Sequence, residues 1–405
     1  MTTSAERMRG WTGPAVLGFG FRPFFLMAGL WAALAMALWI GVLAGGIALP
    51  TAFDPVSWHA HEMLFGYLGA VIAGFLLTAV PNWTGRLPVV GWPLAGLAAA
   101  WLAGRSAVMV SALLPWGVVM VVDLALPLAL GAVLLREIVS GKNWKNLPVL
   151  GLLAGWGLAN GLYHMDAAQG GYAAQGIGLR LGLAVAVMFI SLIGGRIVPS
   201  FTRNWLAGRK ETRLPVPFGR GDAVVLVISA VALGLWVVWP AQGLVALVCA
   251  VAGLAQAWRL SRWQGGRTGT EPLVWVLHVG YGFVPLGFLA VACGPLVDGM
   301  APAAQHVWMA GAVGLMSLAV MTRASLGHAG RPLHAGAPVA ALYVAVIVAV
   351  FARLLVGVWP EASWLLQLAG AAWIAAFGGF AVIYWPILTQ PKAGSRKPPR
   401  HIREL

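Results

Sequence analysis

Charge is scarce in this sequence. Asp, Glu, Lys and Arg make up 9% of its 405 residues, and only 12 of them are acids. A soluble domain carries about a quarter charged residues. With 60% of the chain hydrophobic, there is too little polar surface to face water, so the bilayer must be the solvent. Cysteine is nearly absent: Cys249 and Cys293 both stand in apolar runs. That excludes a disulfide framework and a thiolate metal cluster, and both read as small buried hydrophobes. There is no Walker loop, dinucleotide-binding glycine fingerprint or zinc-finger spacing. A net charge of +14 would point to nucleic acid in a soluble chain. Here the basic residues fall between apolar spans, so the expected partner is the lipid bilayer and not nucleic acid. The start, "MTTSAERMRGW", is basic, but its first apolar run begins late and is long. It reads as a retained helix, not a cleaved signal peptide.

What is present is a series of apolar runs. A spanning helix needs about 20 mainly apolar residues. Runs of that kind begin near Phe24, Val56, Gly91, Trp116, Leu147, Gly176, Asp222, Gln242, Pro272, Pro302, Gly336 and Glu361, twelve in all. Outside the spans, Lys and Arg fall only at the N-terminus, in the even connections and in the tail, from Arg7 and Arg9 through Arg86, Arg136, Lys142, Arg203, Lys210, Arg262 and Arg331 to Lys392 and Arg403. The odd connections hold none, but they carry Asp54, Asp166, Asp298 and Glu361. By the positive-inside rule both termini are cytoplasmic. The expected fold is an all-α polytopic bundle of twelve transmembrane helices. Residues 1–391 form one transmembrane domain, and 392–405 form a basic cytoplasmic tail.

Three of the runs resemble one another. Helix two ends "AVPNWTGR" and helix six "IVPSFTRNW", with Val80 and Val198 118 residues apart. Helix ten aligns with helix two at an offset of 245, which matches His61 to His306 and Gly66 to Gly311. The pattern predicts three four-helix units.

Ionisable residues at membrane depth are costly and mark functional or paired positions. His59, His61 and Glu62 open helix two, His306 opens helix ten, His164 closes helix five and Arg180 opens helix six. With Arg105, Asp123 and Arg353 they form one layer at the outer rim. Arg105 and Asp123, on consecutive antiparallel helices, read as a structural ion pair. A lone rim histidine would merely snorkel or bond a carbonyl. Four of them on three helices point instead to a shared metal or haem site, since neutral imidazole is the commonest metal ligand. His278 lies toward the inner side, and His328 and His334 lie in a cytoplasmic connection and read as solvated. His59 and His61 are about 200° apart around a regular helix, so they cannot grip one small ion together. They could serve two centres, or one could be a ligand that the other supports. His59, Glu62 and Met63 share a face by spacing. The surplus of arginine suits haem propionates.

Several segments carry a family resemblance: "FRPFFLMAGLWA", "WHAHEMLFGY", "GFLLTAVPNWTGR", "GGRIVPSFTRNWL" and "MSLAVMTRASLGHAGR". From Phe21 to about Arg331 the chain resembles the NnrS family. The resemblance implies a haem- and copper-containing protein of the bacterial inner membrane. It would be linked to nitric oxide metabolism, denitrification and resistance to nitrosative stress, with nitric oxide or another small ligand as partner and an electron donor unknown. No CxxCH segment is present, so the haem would be non-covalent. The metal candidates are then His59, His61, His306, His164 and His278, with Glu62, Met63, Arg180, Met309 and Arg353 as haem or site support. More distantly, the layout is similar to the catalytic subunits of haem–copper oxidases, which have twelve helices in three arcs and haem-ligating histidines on helices two and ten. Helices six and seven here lack histidine, so any copper site must be built differently. Two other classes of function remain open on the residues: a secondary transporter of a small solute or metal, and a haem-bearing quinol electron carrier. A secondary transporter should carry its polar residues near the midplane.

Overall fold

The computed structural model describes residues 11–85, 88–294 and 300–391. Arg7, Arg9, Arg86, Asp298 and the basic tail from Lys392 lie outside them. Among the described residues there is no strand. Twelve long helices follow one another: α1 (Phe21–Leu43), α2 (Pro55–Thr84), α3 (Trp92–Met109), α4 (Trp116–Ser140), α5 (Leu147–Ala168), α6 (Ile177–Gly208), α7 (Arg220–Val238), α8 (Gly243–Ser261), α9 (Pro272–Cys293), α10 (Met300–His328), α11 (Ala337–Val358) and α12 (Trp364–Thr389). Ten of them are long and apolar enough to cross a membrane by length and composition. The other two, α3 and α5, have 18 and 22 residues. Helix starts follow local chemistry. Pro55, Pro93, Pro148, Pro272 and Pro338 occupy first-turn positions, where the missing N–H costs nothing. Asp54 caps α2 by accepting from Ser57 N at 2.9 Å.

The outward faces are apolar. Val121, Leu128 and Leu135 on α4, Val224, Val227 and Val231 on α7, and Leu244, Leu247 and Leu254 on α8 are all exposed, spaced to share a helical face. Soluble monomers rarely show so large a continuous apolar surface; lipid requires it. The polar side chains turn inward instead.

Sequential helices pack side by side, and α12 packs on α1 to close the ring. Three helices stand at the centre and touch one another: α2, α6 and α10. The apolar window of α2 is 89% buried and that of α10 78%, against 28% for α1. These are the three helices whose sequences align. Each also contains a π-helical segment: Glu62–Tyr67 in α2, Ile190–Gly194 in α6 and Val307–Leu315 in α10. A π turn displaces carbonyls from the 3.6-residue register, and a buried donor meets one carbonyl in each. Trp101 Nε1 donates to the Gly66 carbonyl at 2.9 Å, Arg259 Nη1 to that of Ser191 at 2.8 Å, and Ser317 Oγ to that of Gly314 at 2.9 Å.

Ring closure depends on close approach. A Cβ on Gly29 of α1 would lie 2.8 Å from the Phe380 ring and 3.3 Å from the Phe377 carbonyl of α12. Gly29→Val should therefore lower stability by about 1–3 kcal/mol through overpacking. Thermal melting in detergent checks this; an unchanged midpoint would mean that α1 and α12 can part without cost.

Candidate functional site

The first turns of α2 divide the polar side chains between two chambers. His59 and His61 point to opposite sides of the helix, and each meets a different set of helices.

On one side His61, Glu62, Arg105, Asp123, Asn160 and His164 form a closed network drawn from α2, α3, α4 and α5, and all six are buried. Arg105 is its hub. It donates through Nη1 to Glu62 Oε1 at 2.6 Å and through Nη2 to Asp123 Oδ1. Glu62 Oε2 also accepts from the Trp31 indole of α1 at 2.6 Å. His61 Nδ1 lies 3.1 Å from Glu62 Oε1. Its Nε2 lies 3.0 Å from Asn160 Oδ1 and 3.2 Å from Asp123 Oδ2. His164 Nε2 stands 3.0 Å from the same Asp123 Oδ2, and Asn160 Nδ2 donates to it at 2.8 Å. One ligand atom from each of His61, Asp123 and His164 lies within 4.8 Å of the others. That is a metal-sized gathering of two imidazoles and a carboxylate. Two carboxylates face one guanidinium, and His61, with both ring nitrogens facing acceptor oxygens, can supply the second positive charge as an imidazolium or yield that role to a bound cation.

Two glycines make room for this network. A Cβ on Gly66 would come within 2.7 Å of both Arg105 Nη1 and Glu62 Oε2, and one on Gly104 within 2.8 Å of Asp123 Oδ1. Phe53 and Tyr163 close the chamber, their rings 5.4 Å from that of His61. Tyr163 is held by its hydroxyl, which donates to the Ser57 carbonyl at 2.8 Å.

On the other side His59, His306 and Arg353 line a cavity of about 220 Å³ between α1, α2, α10, α11 and α12, together with Trp39, Ala310 and Trp373. His59 lies flat on Trp39, with ring centroids 4.6 Å apart and planes at 14°. Its Nδ1 is buried with no hydrogen-bond partner. His306 Nδ1 donates to the Pro302 carbonyl at 2.7 Å. A neutral imidazole that donates from Nδ1 keeps its lone pair on Nε2, the usual state of a metal-bound histidine.

The single outer layer read from the sequence is therefore divided by the body of α2. The alignment of helices two and ten matched His61 to His306, but the structure brings His59 into the His306 cavity and turns His61 away. Glu62, which shares a face with His59 by spacing, joins the His61 network. The π turn that starts at Glu62 breaks the helical register, and Arg105 and Trp31 hold its carboxylate. Arg180 reaches neither chamber. It donates to the Val237 carbonyl at 2.8 Å and to that of Gln175, beside a third cavity of about 400 Å³. His278 stands apart, its Nε2 hydrogen-bonded with Thr202 Oγ1 at 2.8 Å. Met63 is buried in the apolar core and Met309 packs against it. His334 pairs with Glu271 at 2.8 Å, and His328 stacks on Phe19 at 5.4 Å. Asn160, Trp31, Trp39 and Trp101 were not singled out in the sequence. Asn160 had one signal, its place one helical turn before His164 on the same face. The tryptophans had none among 21.

These features define a multi-pass membrane protein with two histidine-bearing chambers, one buried and one half-buried, on either side of a central helix. The family model described as NnrS protein matches residues 15–392, and the chain belongs to the NnrS family. No curated protein matches it.

Removing Arg105 alone leaves two buried carboxylates facing each other. Arg105→Met should destabilise the fold by about 3–5 kcal/mol. Adding Glu62→Gln and Asp123→Asn should restore much of the loss, because the charges then vanish together. Melting of the single, double and triple variants in detergent measures the coupling. Simple additivity would mean that the three side chains do not act as one unit.

Proposed function

We propose that this chain is a haem- and copper-binding protein of the bacterial inner membrane, acting in nitric oxide metabolism and resistance to nitrosative stress. All twelve helices cross the bilayer, α3 and α5 included, since both are within reach of its hydrocarbon thickness. Both termini lie in the cytoplasm, and both chambers sit toward the periplasmic side. The observation that carries the reading is the separation of His59 from His61. Two residues apart, they enter different chambers, and each meets a second histidine from another helix. The link to nitric oxide rests on the family.

The donor sets differ in a way that fits two different groups. His61, His164 and Asp123 suit a small ion such as copper. Glu62 at His61 Nδ1 is the carboxylate that typically orients a metal-bound imidazole. His59 and His306 are the residues that would hold a haem, with His306 already fixed by the Pro302 carbonyl and the orphaned Nδ1 of His59 without a partner in the protein. Arg353 in the same wall is the natural partner of a propionate. The cavity of about 220 Å³ is smaller than the roughly 300–1,000 Å³ usual for larger ligands. A macrocycle would therefore need more room than the cavity offers in this structure. When bound, a haem would supply a one-electron redox couple, and a site for nitric oxide only if one of the two histidines gave way to it. The chain's own residues do the rest. Arg105 and the carboxylates hold charge balance in an interior closed to bulk water, His61 and His164 present nitrogen donors, and Trp39 fixes the plane of the His59 ring.

Two measurements test this. Purified protein should show a Soret band and bound copper; the absence of both would end the reading. His59→Ala and His306→Ala should each remove most of the haem and leave copper in place. His61→Ala and His164→Ala should do the reverse. Loss of both groups together in every variant would show one shared site.

A further inference from the structure

A cavity of about 10 Å³ lies beside the His61 network, between α2, α3, α4 and α5. Arg105, Asp123 and Asn160 form one side of it, and Trp101, Pro127 and Trp156 form much of the other. Each of the second three stands four residues from one of the first, one turn further into the bundle. Every residue in the wall is buried. The volume is close to the roughly 10–15 Å³ that one water molecule needs.

Two residues of the wall carry donors with nothing to bond. Arg105 Nε and Trp156 Nε1 are buried, and among the described residues neither meets an acceptor. Buried polar groups are almost always paired, because leaving one unpaired is costly. The neighbouring donors are engaged: Trp101 Nε1 with the Gly66 carbonyl, and the Asn160 amide with Asp123 and His61. The backbone leaves a third group open. Pro127 lies inside α4 and has no N–H, so the Asp123 carbonyl lacks its i+4 helical bond. Two donors and one acceptor around so small a space select its guest. The guest must accept hydrogen bonds and donate one, and it must be neutral, because the Asp123 carboxylate stands in the same wall. A small anion would be repelled by that carboxylate. An apolar diatomic molecule would leave both N–H groups unpaired.

We infer that this cavity is a binding site for one water molecule, held by Arg105 Nε, Trp156 Nε1 and the Asp123 carbonyl. The site needs no metal and does not rest on the function proposed above. It governs which oxygen of Asp123 stays available. Nε and Nη2 share one edge of the Arg105 guanidinium, an edge that can grip a carboxylate through two parallel bonds. Nη2 already donates to Asp123 Oδ1. With Nε unoccupied, the same edge would take Oδ2 as well. The water engages Nε instead, and Oδ2 is left to His61, Asn160 and His164. Trp156 is thereby a positioning residue. Through the water, it preserves the carboxylate oxygen on which the two histidines converge.

Crystals of the full chain that diffract well enough to resolve buried waters should show one peak within hydrogen-bonding distance of Arg105 Nε and Trp156 Nε1. Trp156→Phe keeps an aromatic ring in place and deletes the N–H. It should lose the peak, and Arg105 Nε should turn onto Asp123 Oδ2 and displace His164. In solution, the ultraviolet resonance Raman difference between wild type and Trp156→Phe should carry the band of a hydrogen-bonded indole. Pro127→Ala returns a helical N–H to the Asp123 carbonyl and should weaken the peak; it makes the test if Trp156→Phe does not purify. A cavity with no peak, or the band of a free indole N–H, would overturn the site. An anomalous peak there in bromide-soaked crystals would overturn the choice of water. Loss of the water with the Arg105–Asp123 pairing unchanged would overturn the positioning role of Trp156. Metal content enters none of these outcomes, so a chain that holds the water but neither haem nor copper would refute the proposed function alone.

Discussion

A guanidinium buried between two carboxylates governs this structure. Arg105 has no bulk water to turn to, and neither do Glu62 and Asp123. Each charge can stay at that depth only because the others are there. The requirement fixes α2, α3 and α4 against one another at one level. It also fixes what comes next. With Glu62 held by Arg105 and the Trp31 indole, His61 is drawn into the same chamber. His59 is then left on the opposite face, against Trp39. The division of the histidines between two chambers follows from the electrostatics of a single arginine.

The second constraint is the central position of α2, α6 and α10. Helices at the middle of a bundle have neighbours on every side and no lipid face. Small residues and polar contacts replace the apolar exterior found on α4, α7 and α8. The π turns belong to this arrangement. In lipid, a backbone carbonyl out of register has no solvent to turn to, so each turn needs its own buried donor. Trp101, Arg259 and Ser317 supply those donors from three unrelated sequence contexts. The same local problem is met once in each of the three central helices.

Much of the fold was legible because lipid imposes simple rules. Run length and the likeness of helices two, six and ten both follow from local sequence. The twelve helices begin close to where the apolar runs do. The site was legible in part. His59, His61, Glu62, Arg105, Asp123, His164, His306 and Arg353 stand out because ionisable side chains are rare at that depth. Their grouping did not. An alignment equates positions along helices; it carries no information on which way each helix is rotated. Arg180 and His278 stood out for the same reason as the others, yet they serve local contacts with Val237 and Thr202. Trp31 carries no charge, so nothing lifted it above the background of an apolar chain, and Asn160 had only its place one turn before His164.

Composition and periodicity by themselves determined that this protein lives in a membrane, that it is built from helices of spanning length, and that two histidines two residues apart cannot serve one small ion. Those are consequences of solvent and helical geometry, which act within a single segment. Only the tertiary structure decided that His61 meets His164 and Asp123 while His59 meets His306, and that the three helices with π turns stand together at the centre. Such pairings depend on the rotation and register of helices brought together by buried charge and close packing, and those contacts join residues far apart in the chain.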